Sequence, residues 1–242
     1  METFSSLTQN WIKGHPIWAA MILGSGAVFA SEIIWSGIKY VRDKFRIAKN
    51  HVLAVLVFNE KSVICADKHK INRNYQCSNK YCKEKHLRIL VNLIDRAEYS
   101  IDIAMYTVTI FAITDALKHA IARGLNVRLI YDKEMMVCSG SQIEILDKHG
   151  VQVRAPANTA TALMHHKFCV LDSSSRIKEL TGKQQTNNSR SILVSGSANW
   201  TQQAFSGNWE NTVIYADKAV IACFQNEFDR IWKSLDNSYI TS

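Results

Sequence analysis

The stretch MHHKFCVLD, residues 164–172, has the apolar alternation of a β-strand but opens on two histidines and a lysine. Residues two apart on a strand share a face, so His165 and Lys167 project together while His166 projects to the other side. A neutral imidazole can attack phosphorus, and a fixed ammonium beside it can hold a non-bridging phosphate oxygen. A second stretch, SGSANW (195–200), places Ser197 and Asn199 on one face by the same rule, after Gly196, which lets backbone come close to a ligand. Glu210 follows in NWEN; a carboxylate there could orient the second ring nitrogen of a histidine. His165, Lys167, Ser197, Asn199 and Glu210 therefore come from three strand ends that one sheet could gather. The pattern suits chemistry on a phosphodiester. A metal site built on the histidine pair is disfavoured, because adjacent strand residues diverge and Lys167 would repel a cation.

A second constellation lies upstream. Cys65, His69, Cys77, Cys82 and His86 offer five candidate ligands for a tetrahedral zinc. The preferred set is Cys65, Cys77, Cys82 and His86, with His69 as the competing ligand. The bland alternative is a loop of reduced cysteines. From Lys68 to Arg88 there are seven basic residues (Lys68, Lys70, Arg73, Lys80, Lys83, Lys85 and Arg88) against one acidic residue, Glu84. A zinc-fixed loop of this composition would form a basic wall for a polyanion.

The elements that must position these groups can be read from periodicity. Strands are expected at 51–58 and 61–65, around a turn at Asn59-Glu60, followed by a polar irregular segment over 66–83. Leu87, Leu90, Val91 and Ile94 are spaced for an amphipathic helix over 83–97. Strands at 100–106, 126–131 and 151–154 alternate with helices at 111–123 and 141–148. Strands at 167–171, 191–195 and 211–215 and a helix over 216–234 complete the chain. Alternation of this kind implies an α/β domain with a mixed, mostly parallel sheet flanked by helices. Residues 173–190, SSSRIKELTGKQQTNNSR, read as a polar hairpin insertion.

The whole chain has 242 residues, 47% of them apolar, with two prolines and ten glycines, room for one sizeable domain and a small appendage. Its formal net charge of +8 suits an anionic partner, either nucleic acid or an acidic membrane surface. Of the six cysteines, Cys65, Cys77 and Cys82 fall within 18 residues and Cys138, Cys169 and Cys223 are scattered, which fits a reducing compartment better than a secreted disulfide framework. Residues 16–40 form a mostly apolar run long enough to cross a bilayer. Lys39, Arg42, Lys44, Arg46 and Lys49 follow it and only Lys13 precedes it, so the bulk of the protein is expected on the cytosolic side. A cleaved signal ending near Val28-Phe29-Ala30 and a buried core helix are the competing readings. The expected organisation is an anchor at 1–40, a basic juxtamembrane segment at 41–50 and a catalytic domain at 51–242, with a zinc-binding insertion at 65–86.

His165-x-Lys167-x4-Asp172, followed by Gly196-Ser197-x-Asn199 and Glu210, resembles the HKD signature of the phospholipase D superfamily, over about residues 51–235. GSQIEIL (140–146), MHHKF (164–168), GSANWT (196–201) and FDRIW (228–232) are similar to its mitochondrial branch. The resemblance implies a phospholipase D-like fold with a single HKD half-site, completed by homodimerisation because the chain shows no internal repeat. It implies a phosphohistidine on His165, with Lys167, Asp172, Ser197, Asn199 and Glu210 as site residues and no catalytic metal. It further implies a structural zinc, an outer mitochondrial membrane location, and either single-stranded RNA (piRNA precursors) or cardiolipin as substrate. One departure stands out: 23 residues separate Asp172 from Gly196, where the family usually has a much shorter hairpin.

Overall fold

The computed structural model describes residues 13–15, 17, 28, 30–41, 51–72, 75–157, 163–183 and 191–235. The chain divides into two compact units, Met1–Asn50 and His51–Ser242. In the first, the described backbone over 30–41 is helical, with Ile33, Ile34, Trp35 and Ile38 exposed. The rest of the expected 16–40 anchor falls almost entirely outside the described residues. Among the described residues, no helix is long and apolar enough to cross a membrane.

The second unit is built on a seven-stranded sheet in the order β1-β7-β6-β5-β2-β3-β4. The strands are β1 (Val52–Phe58), β2 (Ser100–Met105), β3 (Asn126–Ile130), β4 (Gln152–Arg154), β5 (Lys167–Leu171), β6 (Ile192–Gly196) and β7 (Glu210–Tyr215). The helices are α1 (Ala66–Ile71), α2 (Lys83–Arg96), α3 (Phe111–Ala122), α4 (Ile143–Lys148), α5 (Ser174–Thr181), α6 (Gln202–Ser206) and α7 (Lys218–Ser234). The sheet is mixed, but the expected parallel majority is not what forms. Only β2–β3 and β3–β4 pair in parallel, whereas β2–β5, β5–β6, β6–β7 and β7–β1 are antiparallel. In the first half the connections cross over the sheet, through α3 of twelve residues and α4 of six. In the second half the chain turns back into the neighbouring strand, past α5 of eight residues and α6 of five.

Two apolar layers enclose the sheet. On one face Leu90 and Ile94 of α2 and Ile113, Leu117 and Ala120 of α3 pack with Ile101, Ile103, Met105, Val194 and Ile214. On the other, Ile221, Phe228 and Trp232 of α7 cover Ala104, Phe168, Val170 and Leu193. Strand β2 is buried along its whole length, and it carries a charge. Asp102 accepts two hydrogen bonds from Arg128 at 2.7 Å each and one from Gln225 at 2.8 Å, while Arg128 also reaches Asp229 at 2.8 Å. The guanidinium lies over Phe228 and Trp232. A buried pair of this kind is better read as fixing the seat of α7 on the sheet than as added stability.

Three local expectations need correction. KSVIC does not form a strand. Asn59 accepts from Lys61 N while Ser62 Oγ accepts from Asn59 N, and this reciprocal cap winds Glu60–Val63 into a 3-10 turn. The 66–83 segment is partly helical, as α1. The 173–190 insertion is not a hairpin at its start. Ser173 Oγ accepts from Arg176 N, Ile177 and Arg176 are buried, and Gly182 at φ +69° ends helix α5. Residues 184–190 lie outside the described residues.

Candidate active site and candidate metal centre

The antiparallel register brings the motif residues to one rim of the sheet. Lys167 begins β5 and pairs with Met105 at the end of β2. Gly196 ends β6, with Phe168 opposite Ser195. Glu210 begins β7 and faces Phe58 at the end of β1. Five strand ends thus converge, and loops stitched across them hold the rim. Tyr106 N donates to His166 O, Thr109 N to Trp200 O and Met164 N to Asp132 Oδ2. Buried Trp200 anchors the Ser197–Asn199 turn from below.

Gly196 is required by space. A Cβ there would sit 2.2 Å from Asn211 O and 2.8 Å from Thr212 Cα, both backbone atoms. With no side chain, β6 and β7 close on each other, and Ser197 N and Ala198 N both donate to Asn211 O.

His165 is exposed, with its ring 5.0 Å from that of Tyr106; the Lys167 ammonium lies 5.3 Å from the same ring and donates to His165 O at 2.9 Å. His166 turns instead to Phe168 and lies 4.0 Å from Glu227. Burial pulls the Lys167 pKa down from the ordinary lysine value, and the Glu210 charge works against that fall. A partly desolvated ammonium interacts more strongly with a phosphate than one in open water. Tyr106 is shifted the other way: burial raises its pKa, helped by the charges of Asp132 and Glu134 and by Cys138.

Glu210 does not contact an imidazole. Its Oε2 accepts from Ser197 Oγ at 2.5 Å and its Oε1 from Asn208 Nδ2 at 3.0 Å, while Ser197 Oγ in turn accepts from Asn211 N. Both carboxylate oxygens are therefore engaged in holding the Ser197 turn, and among the described residues no carboxylate bonds the His165 ring. Asn199 Oδ1 is buried without a hydrogen-bond partner among the described residues. Such an atom is uncommon, and points to a site completed by something else.

Asp172 sits at the opposite rim. Five residues of β5 separate it from His165's end of the strand, about 16 Å at the usual rise. Its carboxylate accepts from Glu98 N, Tyr99 N and Ser100 N at 2.8–2.9 Å, and its own backbone has φ +50°. Burial raises its pKa, against the pull of those N–H groups. The geometry gives Asp172 a part in tying β5 to the start of β2, not in touching substrate.

Two residues at the rim escaped the sequence reading. Tyr106 directly follows the buried strand β2 and carries no motif. Asp132 is buried, and by accepting from Met164 N it fixes the residue before His165.

The comparisons agree with this geometry. The family described as "Cardiolipin synthase, PLD-like domain" matches residues 90–232, more than half of the chain and every residue of the rim cluster. The chain belongs to the phospholipase D superfamily. It is accordingly a phosphodiesterase. A Drosophila melanogaster protein named mitochondrial cardiolipin hydrolase is 39% identical over 95% of this chain and 94% of its own length. One of the same name from Chlamydomonas reinhardtii is 29% identical over 76% of this chain and 74% of its own. Among solved structures, NucT from Helicobacter pylori superposes with a TM-score of 0.53 at 26% identity, over 63% of this chain and 90% of that one.

The upstream cluster is also gathered, with one substitution in the expected set. Cys65, His69, Cys77 and Cys82 are all buried, and their ligand atoms lie within 4.8 Å of one another. Cys77 Sγ is 3.7 Å from Cys65 Sγ, and His69 Nε2 is 3.4 Å from Cys77 Sγ and 3.3 Å from Cys82 Sγ. A tetrahedron with zinc–sulfur bonds of about 2.3 Å has edges of about 3.8 Å, so the spacing fits an ion. His86 is not in the group. It lies one turn into α2, with Nε2 3.1 Å from Lys80 O and its ring edge-on to Phe58. His69 takes the place because the Ala66–Ile71 stretch is a helix, which brings position 69 back over Cys65. Burial pushes the Cys82 thiol up to about 12. Burial also acts upward on Cys77, but hydrogen bonds with His69, Cys82 and Cys65 outweigh it and bring that thiol down to about 7. A cation at the centre would hold both as thiolates. Around the cluster, Lys68, Lys70, Lys80 and Arg88 are exposed; Arg73 lies outside the described residues.

Proposed function

We propose that the chain is a single-strand-specific endoribonuclease of the phospholipase D superfamily that acts as a homodimer through a phosphohistidine. The observation that carries the reading is the rim itself: an exposed imidazole and a partly desolvated lysine on an open, polar surface, in a chain of net charge +8. A strand of RNA can be laid across such a rim, with its backbone drawn in by charge. His165 attacks phosphorus, forming a P–N bond while the P–O bond to the departing sugar breaks. That oxygen takes a proton from the second subunit's His165. Water then attacks the phosphohistidine and passes its proton to the second imidazole; the P–N bond breaks, His165 is freed, and the product keeps a 5′-phosphate. Lys167 and Asn199 of both subunits hold the equatorial oxygens. Cys65, His69, Cys77 and Cys82 would hold a structural zinc that braces the basic module, with no part in bond breaking. The relatives' names favour a mitochondrial setting, and the piRNA precursors implied by the mitochondrial branch are the RNA class proposed.

Those same names support a second reading, hydrolysis of cardiolipin to phosphatidic acid. The purified chain should be given a labelled single-stranded RNA, its duplex and cardiolipin vesicles. Cleavage of the single strand alone, with a covalent adduct that disappears in His165→Ala, is expected. Release of phosphatidic acid with both RNAs left intact would overturn the nuclease reading in favour of the lipid one.

A further inference from the structure

One large apolar side chain at the rim has no part in the chemistry above. Trp209 immediately precedes Glu210 and is 80% exposed. Leaving an indole in water is unfavourable, and Trp is a residue usually at least partly covered. Nor does it hang on a loose loop. Gly207 N and Asn208 N both donate to Gln203 O, Gln203 Nε2 donates to Asn208 Oδ1, and Asn208 Nδ2 donates to Glu210 Oε1. The backbone on either side of the indole is thus fastened to α6 and to the Ser197 turn, and the ring is held out in advance of any partner.

It borders a cavity of about 390 Å³, formed with Val57, Phe58, Asn59, Glu60, Glu210 and Asn211. This is within the size range of small-molecule pockets. Its lining decides among occupants. Glu60 would repel a phosphate, and Glu60 with Asn211 would desolvate badly against an acyl chain. A flat, neutral, aromatic group with hydrogen-bonding edges suits all of them. The position agrees, because β7 lies two strands and β1 three from the strand of Lys167, about 10 and 14 Å at the usual spacing. A group stacked here belongs to a nucleotide close to the phosphate held by Lys167.

We infer that Trp209 is a stacking platform for a nucleobase flanking the scissile phosphate, with Glu60 and Asn211 placed to meet the base edge. Bases stack on aromatic rings with little regard for sequence, so the platform favours a single strand whose bases are free over a duplex whose bases are already stacked. The inference rests on the nuclease reading and adds a subsite to it.

The test uses the full chain and a uniform single-stranded RNA, with a base-free nucleotide placed in turn at each position around the cut. Trp209→Ala should raise KM roughly 5- to 150-fold, the range that loss of one stacked base produces. Trp209→Phe should restore most of it. At one base-free position the wild type should itself weaken, so that the difference between wild type and Trp209→Ala shrinks toward one. Wild-type cleavage that Trp209→Ala leaves unchanged would overturn the inference and spare the nuclease reading. A loss in Trp209→Ala that is equal at every base-free position, or that accompanies a shift from dimer to monomer in sedimentation, would also overturn it. So would a loss confined to cardiolipin vesicles. Failure of the wild type to cut any RNA would instead sink the nuclease reading on which the inference stands.

Discussion

At the scale of single residues, the rim separates groups that share a motif but not a task. His165 and Lys167 flank the Tyr106 ring, while His166 packs on Phe168. His165→Ala should abolish turnover, and Lys167→Ala and Asn199→Ala should each lower kcat about 10²- to 10³-fold, as loss of one charge-stabilising group does. His166→Ala should stay near wild type; single-turnover rates on a labelled RNA check all four. Lys167 also gives a pH signature. Its pKa is depressed by burial, so the rate should fall at a lower pH than an ordinary lysine would impose. The sign for stability follows from the same depression. Between the folded and unfolded values the unfolded chain binds more protons at this site, so stability rises with pH across that window. Lys167→Met removes the partly desolvated charge. It should lower kcat as Lys167→Ala does while raising Tm at neutral pH, measured by thermal unfolding against the wild type.

Elements explain why one letter of the motif, Asp172, lies away from the rim. Asp172 closes the distal end of β5 by taking three backbone N–H groups from residues 98–100. Asp172→Ala takes away that shared acceptor, and the buried Ser100 N alone should cost about 1–3 kcal/mol. A marked drop in Tm is expected, with kcat per folded molecule retained; loss of kcat at unchanged Tm would return Asp172 to the chemistry. The metal module gives a second contrast, between helix-borne histidines. His69 lies on α1 within reach of three thiols, whereas His86 lies on α2 bonded to Lys80 O. The wild-type chain should bind about one zinc. His69→Ala should lose it and fold poorly, and His86→Ala should keep it, as metal analysis of the purified proteins would register. Brief chelation should leave cleavage intact, because a closed site exchanges its ion slowly.

For the whole molecule, the question is how one rim with one His165 can supply both nucleophile and acid. In the proposed mechanism two copies related by a twofold axis would provide the pair. If each composite site needs two histidines, random assembly of equal amounts of wild-type and His165→Ala chains should leave about a quarter of the activity. About half would remain if each chain worked alone. Sedimentation of the wild type as a dimer is the accompanying expectation, and full activity in a species that sediments as a monomer would contradict it.

What the sequence determined by itself was local: residue type and spacing along a strand. The i, i+2 rule places His165 with Lys167, and Ser197 with Asn199, before any fold is known. Periodicity likewise placed α2, α3 and α7 to within a few residues, because each buries one apolar stripe. Ser173 and Gly182 even carried the cap signals of α5, though its polar composition suggested a hairpin. Pairing was decided only in three dimensions. Whether β5, β6 and β7 run parallel or antiparallel depends on whether the connection crosses the sheet, which no single strand encodes. That choice, in turn, put the ends of β1, β2 and β6 beside the beginnings of β5 and β7. The selection of His69 over His86, the engagement of Glu210 by Ser197, and the placing of Trp209 and Phe58 around one cavity all join segments apart in the chain. They are set by packing and register, for which spacing along the chain holds no ruler.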